Sequence, residues 1–170
     1  AEMVQRWIYD NVDAATRQGP DFARAAVRSV LRVASKEVAN ASTGDSEAQQ
    51  RLPVHLQQRW RRSFAALCPF LTWCTRSQGR VLQLAALHEA EAMCSVSIWA
   101  DTRAAFTCMY EHDVAEAEVF LDWHGQSSGR KMNGASALSG WVANLAGALG
   151  SNTLIGCDGE DDCFLPADFS

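Results

Sequence analysis

Between Asp21 and Trp123 apolar side chains return every three or four residues, and nowhere do they alternate beside the Gly, Asn or Asp chemistry of a hairpin turn. A 3.6-residue period gathers such residues on one stripe of a helix, and that stripe has to be covered by another helix. The expected fold is all-α, a stack of about seven or eight helices. The residue usage agrees, with 27 alanines against 22 valines, isoleucines and threonines combined.

Read along the chain, Val4, Trp7, Ile8 and Val12 share the stripe of a short first helix that TRQGP ends. Pro20 falls in a loop, and Asp21 is placed to cap a second helix. That helix turns Phe22, Ala26, Val30, Val33 and Ala34 inward and Arg24, Arg28, Arg32 and Lys36 outward. Residues 40–50 are polar and aperiodic, a loop. Pro53 opens a third helix with Leu56, Trp60, Phe64 and Leu67 on one side and Arg59 and Arg62 on the other, and Pro69 marks a break. Further helices are expected over residues 78–93, through Val81, Leu82, Ala85 and His88, and from about Ser97 to Tyr110, with Ile98, Ala105, Phe106 and Met109 inward.

The stretch YEHDVAEAEVFLDWHG, residues 110–125, carries the most information. Asp113 and Glu116 have the spacing of a capping box, so a helix is expected to start at Asp113. Val114, Ala117, Phe120 or Leu121, and Trp123 line its inner face, and Gly125 supplies a stop. Glu111, Glu118 and Asp122 collect on its other face. A polar loop over 126–134 leads to a last helix with Leu138, Trp141, Val142 and Leu145 on its stripe, weakened by Gly140 and Gly147. Beyond Gly150 comes a tail, expected to be mobile, with Pro166 and the acids Asp158, Glu160, Asp161 and Asp162.

Charge is polarised. Residues 1–85 hold 12 Lys and Arg against 7 Asp and Glu, and residues 86–170 hold 3 against 13, so a net −5 divides into +5 and −10. Such a field suits a protein that meets a partner with each end, and the acidic half disfavours binding along a phosphate backbone. No run approaches the ~18 apolar residues of a membrane span, and the start lacks the order of a signal peptide. A soluble, cytoplasmic protein without a membrane partner is expected, and the opening Ala1-Glu2-Met3 reads as part of a longer chain. Four of the six cysteines, 68, 74, 94 and 108, lie in apolar helical runs and read as buried reduced thiols. Cys157 and Cys163 are candidates for a pair or a metal, but His55, His88, His112 and His124 offer no ligand spacing, so no metal is expected. Neither a catalytic triad signature nor a phosphate-cradling loop is present, so no catalytic residue and no cofactor are expected.

The string YEHDVAEAEVFLDW, with Trp141 18 positions beyond Trp123, resembles the W-two domain, the HEAT-like module with two tryptophans that ends eukaryotic translation initiation factors 5, 2B epsilon and 4 gamma. The resemblance covers residues 1–150, leaving 151–170 as the acidic tail. VQRWIYDNV followed by FARAAVRSVLRVA is most similar to the start of this domain in factor 4 gamma, whereas WRRSFAALC through AALHEAEAM also looks like factor 5. The likeness implies a right-handed α-α superhelix of antiparallel helix pairs in which Trp7, Trp123 and Trp141 are structural. It implies a monomeric scaffold module that recruits a basic segment of another initiation factor or a protein kinase. Glu111, Asp113, Glu116 and Glu118 match the family's first acidic box, while the second is represented only by Trp141 and, loosely, by Asp158, Glu160, Asp161 and Asp162, because VANLAGALG after Trp141 contains no acid; with Asp122 these acids are the expected partner-binding residues. Two relatives imply alternatives: guanine-nucleotide exchange of the 2B epsilon type, or the factor 5 domain that binds initiation factor 2 beta. A further reading is RNA binding through the basic first half, on Arg24, Arg28, Arg32, Arg51, Arg59, Arg61 and Arg62.

Overall fold

The computed structural model describes residues 2–41, 53–76, 79–97, 100–127, 138 and 140–147. Seven helices follow one another: α1 (Glu2–Asn11), α2 (Ala14–Arg17), α3 (Pro20–Ala41), α4 (Val54–Thr75), α5 (Arg80–Ser95), α6 (Thr102–Glu111) and α7 (Ala117–Ser127). Residues 138 and 140–147 are helical too, and the latter run is termed α8 below. Among the described residues there is no strand. The all-α stack expected from the periodicity is the fold.

The two 22-residue helices form its spine. α3 packs on both α4 and α5, α4 on α6, and α5 on α6 and α7. α3 contributes Ala26, Val27, Val30, Leu31, Ala34 and Val38 to the core, on the 3–4 spacing that makes one buried stripe. α4 answers with Leu56, Trp60, Phe64, Cys68 and Leu71, and the Trp60 indole lies parallel to the Phe64 ring at 5.2 Å between centroids. At the other end Phe106 of α6 meets Phe120 and Trp123 of α7 edge-on at 5.5 and 4.7 Å. Trp141 of α8 closes on Phe120 at 5.1 Å and on Tyr110 at 6.1 Å. Edge-to-face pairs of this kind add about 0.5–1.5 kcal/mol each beyond their area. Trp123 is therefore buried in the core, and Trp141 is half-buried at that core's edge, on Phe120 and Tyr110.

Several local expectations are corrected. Trp7 is 61% exposed, and Val4 is exposed with it; α1 turns Ile8 inward, and Trp7 lies 100° round the helix from that contact. A stripe shows that a helix has an apolar side, not that a neighbour covers all of it. Val33 and Val81 are exposed for the same reason. Pro69 does not break a helix but lies inside α4, and its exposed position puts the missing N–H bond on the solvent side. Pro20 is the first residue of α3 rather than a loop residue, in the first turn where a missing N–H costs no helical bond, and Asp21 pairs with Arg24 at 2.8 Å instead of capping. α6 starts at Thr102, capped by Asp101, whose carboxylate accepts from the N–H groups of Arg103 and Ala104. Gly125 lies within α7, which continues to Ser127. Ile98, residues 42–52 and 128–137 and those from 148 on lie outside the described residues; of the loops expected over 40–50 and 126–134, residues 40 and 41 belong to the end of α3 and residues 126 and 127 to the end of α7.

Candidate protein-docking face

The turn joining α6 to α7 gathers the acidic residues, and it is built differently from the capping box. Asp113 has φ 54, a left-handed conformation that L-residues other than Asn and Asp seldom adopt. Its N–H donates to the Tyr110 carbonyl at 3.2 Å, and the Val114 N–H donates to the Met109 carbonyl at 2.8 Å. These two bonds are the Schellman ending, and the accompanying apolar contact is supplied by Val114 and Met109, both fully buried. Asp113 thus ends α6; it does not begin α7. The first bonds of α7 run from the N–H groups of Val119 and Phe120 to the Glu116 carbonyl, at 3.0 and 3.4 Å.

Neighbouring helices hold the backbone of this turn. Thr72 and Thr75, one turn apart at the end of α4, donate their hydroxyls to the carbonyls of His112 at 2.8 Å and Val114 at 2.9 Å. From α5 the buried Gln83 accepts the Glu116 N–H on Oε1 at 3.0 Å. Buried backbone groups require such partners, so each bond fixes the turn in one position. Nothing in the spacing of Thr72, Thr75 or Gln83 marks them out, since each acts only on a segment about 30–40 residues away.

The five acids do not share one state. Glu111 accepts both contacts of the Arg61 guanidinium, at 3.1 and 3.2 Å, and these bonds, with a smaller contribution from Cys108, push the Arg61 pKa up. Asp122 pairs with Arg80, raising the arginine pKa, and the charges of Glu118 and Glu116 add to the effect. Asp113, Glu116 and Glu118 are exposed and make no ion pair among the described residues. The acidic residues of the tail lie outside the described residues. On the basic side, Arg28 is tied to Glu89 of α5 at 2.8 Å, while Arg32, Arg59 and Arg62 are exposed and free of ion pairs among the described residues.

Beneath the face, the Trp123 indole N–H donates to Glu91 Oε2 at 2.9 Å in a buried contact between α7 and α5. His88 Nδ1 lies 3.9 Å from the same oxygen. Glu91 is 7% exposed, a buried acid that nothing in its sequence neighbourhood marks out. Among the described residues no three His, Cys, Asp or Glu side chains converge as a metal site requires. Burial pushes the thiols of Cys68, Cys74 and Cys94 up to about 12 and raises that of Cys108, where Arg61 opposes the shift. Neutral thiols of this kind are poor nucleophiles and poor ligands. No helix among the described residues is long and apolar enough to cross a membrane. No family model matches the chain, and a search of curated proteins finds no match either.

Proposed function

We propose that this chain is a protein-interaction module, a HEAT-like scaffold domain of the W-two kind in a eukaryotic translation initiation factor, most like factor 4 gamma. It works in the cytoplasm by recruiting a basic segment of another initiation factor or of a kinase. The observation that supports this reading is the acidic turn, whose backbone is held by Thr72, Thr75 and Gln83 while Asp113, Glu116 and Glu118 face water. Ligand-ready charges on a rigid frame lose little conformational freedom when a partner docks, and they steer it from a distance. Because Arg61 and Arg80 already occupy Glu111 and Asp122, the attraction rests on Asp113, Glu116 and Glu118.

The test is calorimetric titration with a lysine-rich peptide, alongside co-purification of initiation factors from a translation extract. Screening sets in at about 8–10 Å at physiological salt, so the peptide's affinity should fall by about tenfold or more between low and high salt. Glu116→Lys with Glu118→Lys should abolish both peptide binding and co-purification. Binding indifferent to salt and to the double reversal would remove this reading.

A further inference from the structure

The last helix, α8, is held differently from the others. Residues 132–157 carry no charged side chain, so α8 contributes no ion pair to the fold. Within it Gly140 and Gly147 are exposed, and a Cβ added at either meets nothing within 4 Å. Neither takes the left-handed conformation that glycine adopts more readily than other residues. Neither space nor backbone therefore calls for glycine here, and in a helix interior alanine favours the helix about fivefold over glycine. So short a helix is marginal on its own, and α8 is folded because it is seated.

Its seat is the aromatic pair that flanks the acidic turn. Tyr110, in the last turn of α6, and Phe120, in α7, meet edge-on at 6.0 Å, and Trp141 closes the triangle at 6.1 and 5.1 Å. Leu138, just before α8, is buried with Val142 and Leu145, which completes one apolar stripe. α6 and α7 are themselves packed on α4 and α5, so the seat does not need α8 to exist. Asp113 lies in the turn between the two rings, and Glu116, whose carbonyl receives the Phe120 N–H, stands one helical turn before that ring. Beside these two exposed carboxylates α8 sets only neutral side chains. A helix with the same stripe and with Lys or Arg along its outer side would keep the apolar contacts and add an attraction that α8 lacks.

We propose that α8 is an exchangeable helix: it leaves its seat as a unit while the rest of the fold stays, and the seat takes in its place an amphipathic helix of a partner with an apolar stripe and a basic outer side. This rests on the reading of the acidic turn as a docking face and deepens it. The partner's basic segment is helical, and its apolar side goes where Trp141, Val142 and Leu145 were.

The experiment uses the full chain, isotope-labelled, and follows the Trp141 indole N–H and the α8 amides by NMR. Without any peptide, the α8 amides should exchange with solvent at least about tenfold faster than the core amides of α3 and α4. Gly140→Ala with Gly147→Ala should slow them at least about fivefold and leave the other helices unchanged. Should the double variant not fold, Gly140→Ala alone is held to the same expectation. Three unlabelled peptides are then titrated. The first copies residues 136–149 with Gly140→Lys, Ala143→Lys and Asn144→Lys, all exposed positions of α8; the second carries glutamate at those positions; the third is a lysine-rich peptide without apolar residues. Expected is saturable binding of the first, with the Trp141 indole signal moving to its solvent-exposed position and α8 losing its protection. The glutamate peptide should bind at least about tenfold more weakly, and the double-alanine chain should bind the first peptide at least about fivefold more weakly, because its own α8 competes better. α8 amides that open only with the whole chain, binding that leaves Trp141 in place, equal affinity of the two charged peptides, or undiminished affinity in the double-alanine chain would each overturn the proposal. Salt-sensitive binding of the plain lysine-rich peptide alone would overturn it while leaving the acidic turn a docking face, and failure of all three peptides to bind would remove both readings.

Discussion

At the scale of single residues, the tryptophans divide sharply. Trp7 and Trp123 carry the same side chain, yet the first is 61% exposed and the second 2% exposed with its N–H on Glu91. Glu91 Oε1 has no hydrogen-bond partner among the described residues, so the indole is this buried carboxylate's main donor. Removing the indole alone would leave an acid in the core without that bond. Trp123→Phe should therefore cost about 2–4 kcal/mol by denaturant unfolding, from the lost charge-assisted bond and the smaller ring. In a Glu91→Leu background the same substitution should cost distinctly less, because the acid that needed the donor is gone. Equal costs in the two backgrounds would mean that Trp123 acts by packing alone. The burial of Trp123 was legible from its place on the stripe; the identity of its partner, 32 residues earlier on another helix, was not.

At the scale of elements, the instructive case is the α6–α7 turn. Asp113, three residues before Glu116, has the sequence of a helix start and the conformation of a helix end. Both readings use the same preferences, since aspartate suits an N-cap and also tolerates the left-handed region. The choice was made by Met109 and Val114, whose burial against each other favours the Schellman ending, and by the hydroxyls of Thr72 and Thr75. Glycine adopts φ 54 without the Cβ penalty, so Asp113→Gly should stabilise the chain by about 0.5–1 kcal/mol. Asp113→Val should destabilise it by about 1–2 kcal/mol. A capping-box role would give the reverse for glycine, because losing the Asp113 carboxylate would then uncap α7. Thermal melting of the two variants decides between them.

At the scale of the whole molecule, the polarised charge acquires a second meaning. Arg28–Glu89, Arg61–Glu111 and Arg80–Asp122 each join a residue of the basic half to one of the acidic half. Part of what resembles two partner-seeking ends is thus taken up within the fold, the Arg61–Glu111 pair contributing little because both partners are exposed. The buried thiols couple the whole core to pH. Their folded pKa is about 12 against an ordinary 9.0, so the neutral form is the one the fold favours. The stability they contribute is fully present below about pH 9, where the unfolded chain also keeps them protonated. It is lost as pH rises from there toward about 12, since the unfolded chain ionises its thiols first. Alkaline unfolding followed by circular dichroism should therefore coincide with thiolate absorbance, and replacing Cys68, Cys74 and Cys94 with valine or alanine should flatten the pH dependence. Thiolate appearing in the folded chain well before the helical signal falls would contradict this burial.

The sequence by itself determined that the chain is helical and which residues line most of the inner stripes, because a 3.6-residue repeat is a local property written into consecutive positions. It placed Trp60, Phe64, Phe106 and Trp123 inward for the same reason. Only the tertiary structure decided which stripes find a neighbour, leaving Trp7 and Val33 in water. It also decided that Pro69 is carried within a helix, that Asp113 ends one, and that Glu111 and Asp122 are held by arginines. The two ion pairs join groups 50 and 42 residues apart, and the hydroxyls that hold the Asp113 turn come from 40 and 39 residues away; no periodicity along the chain records such meetings.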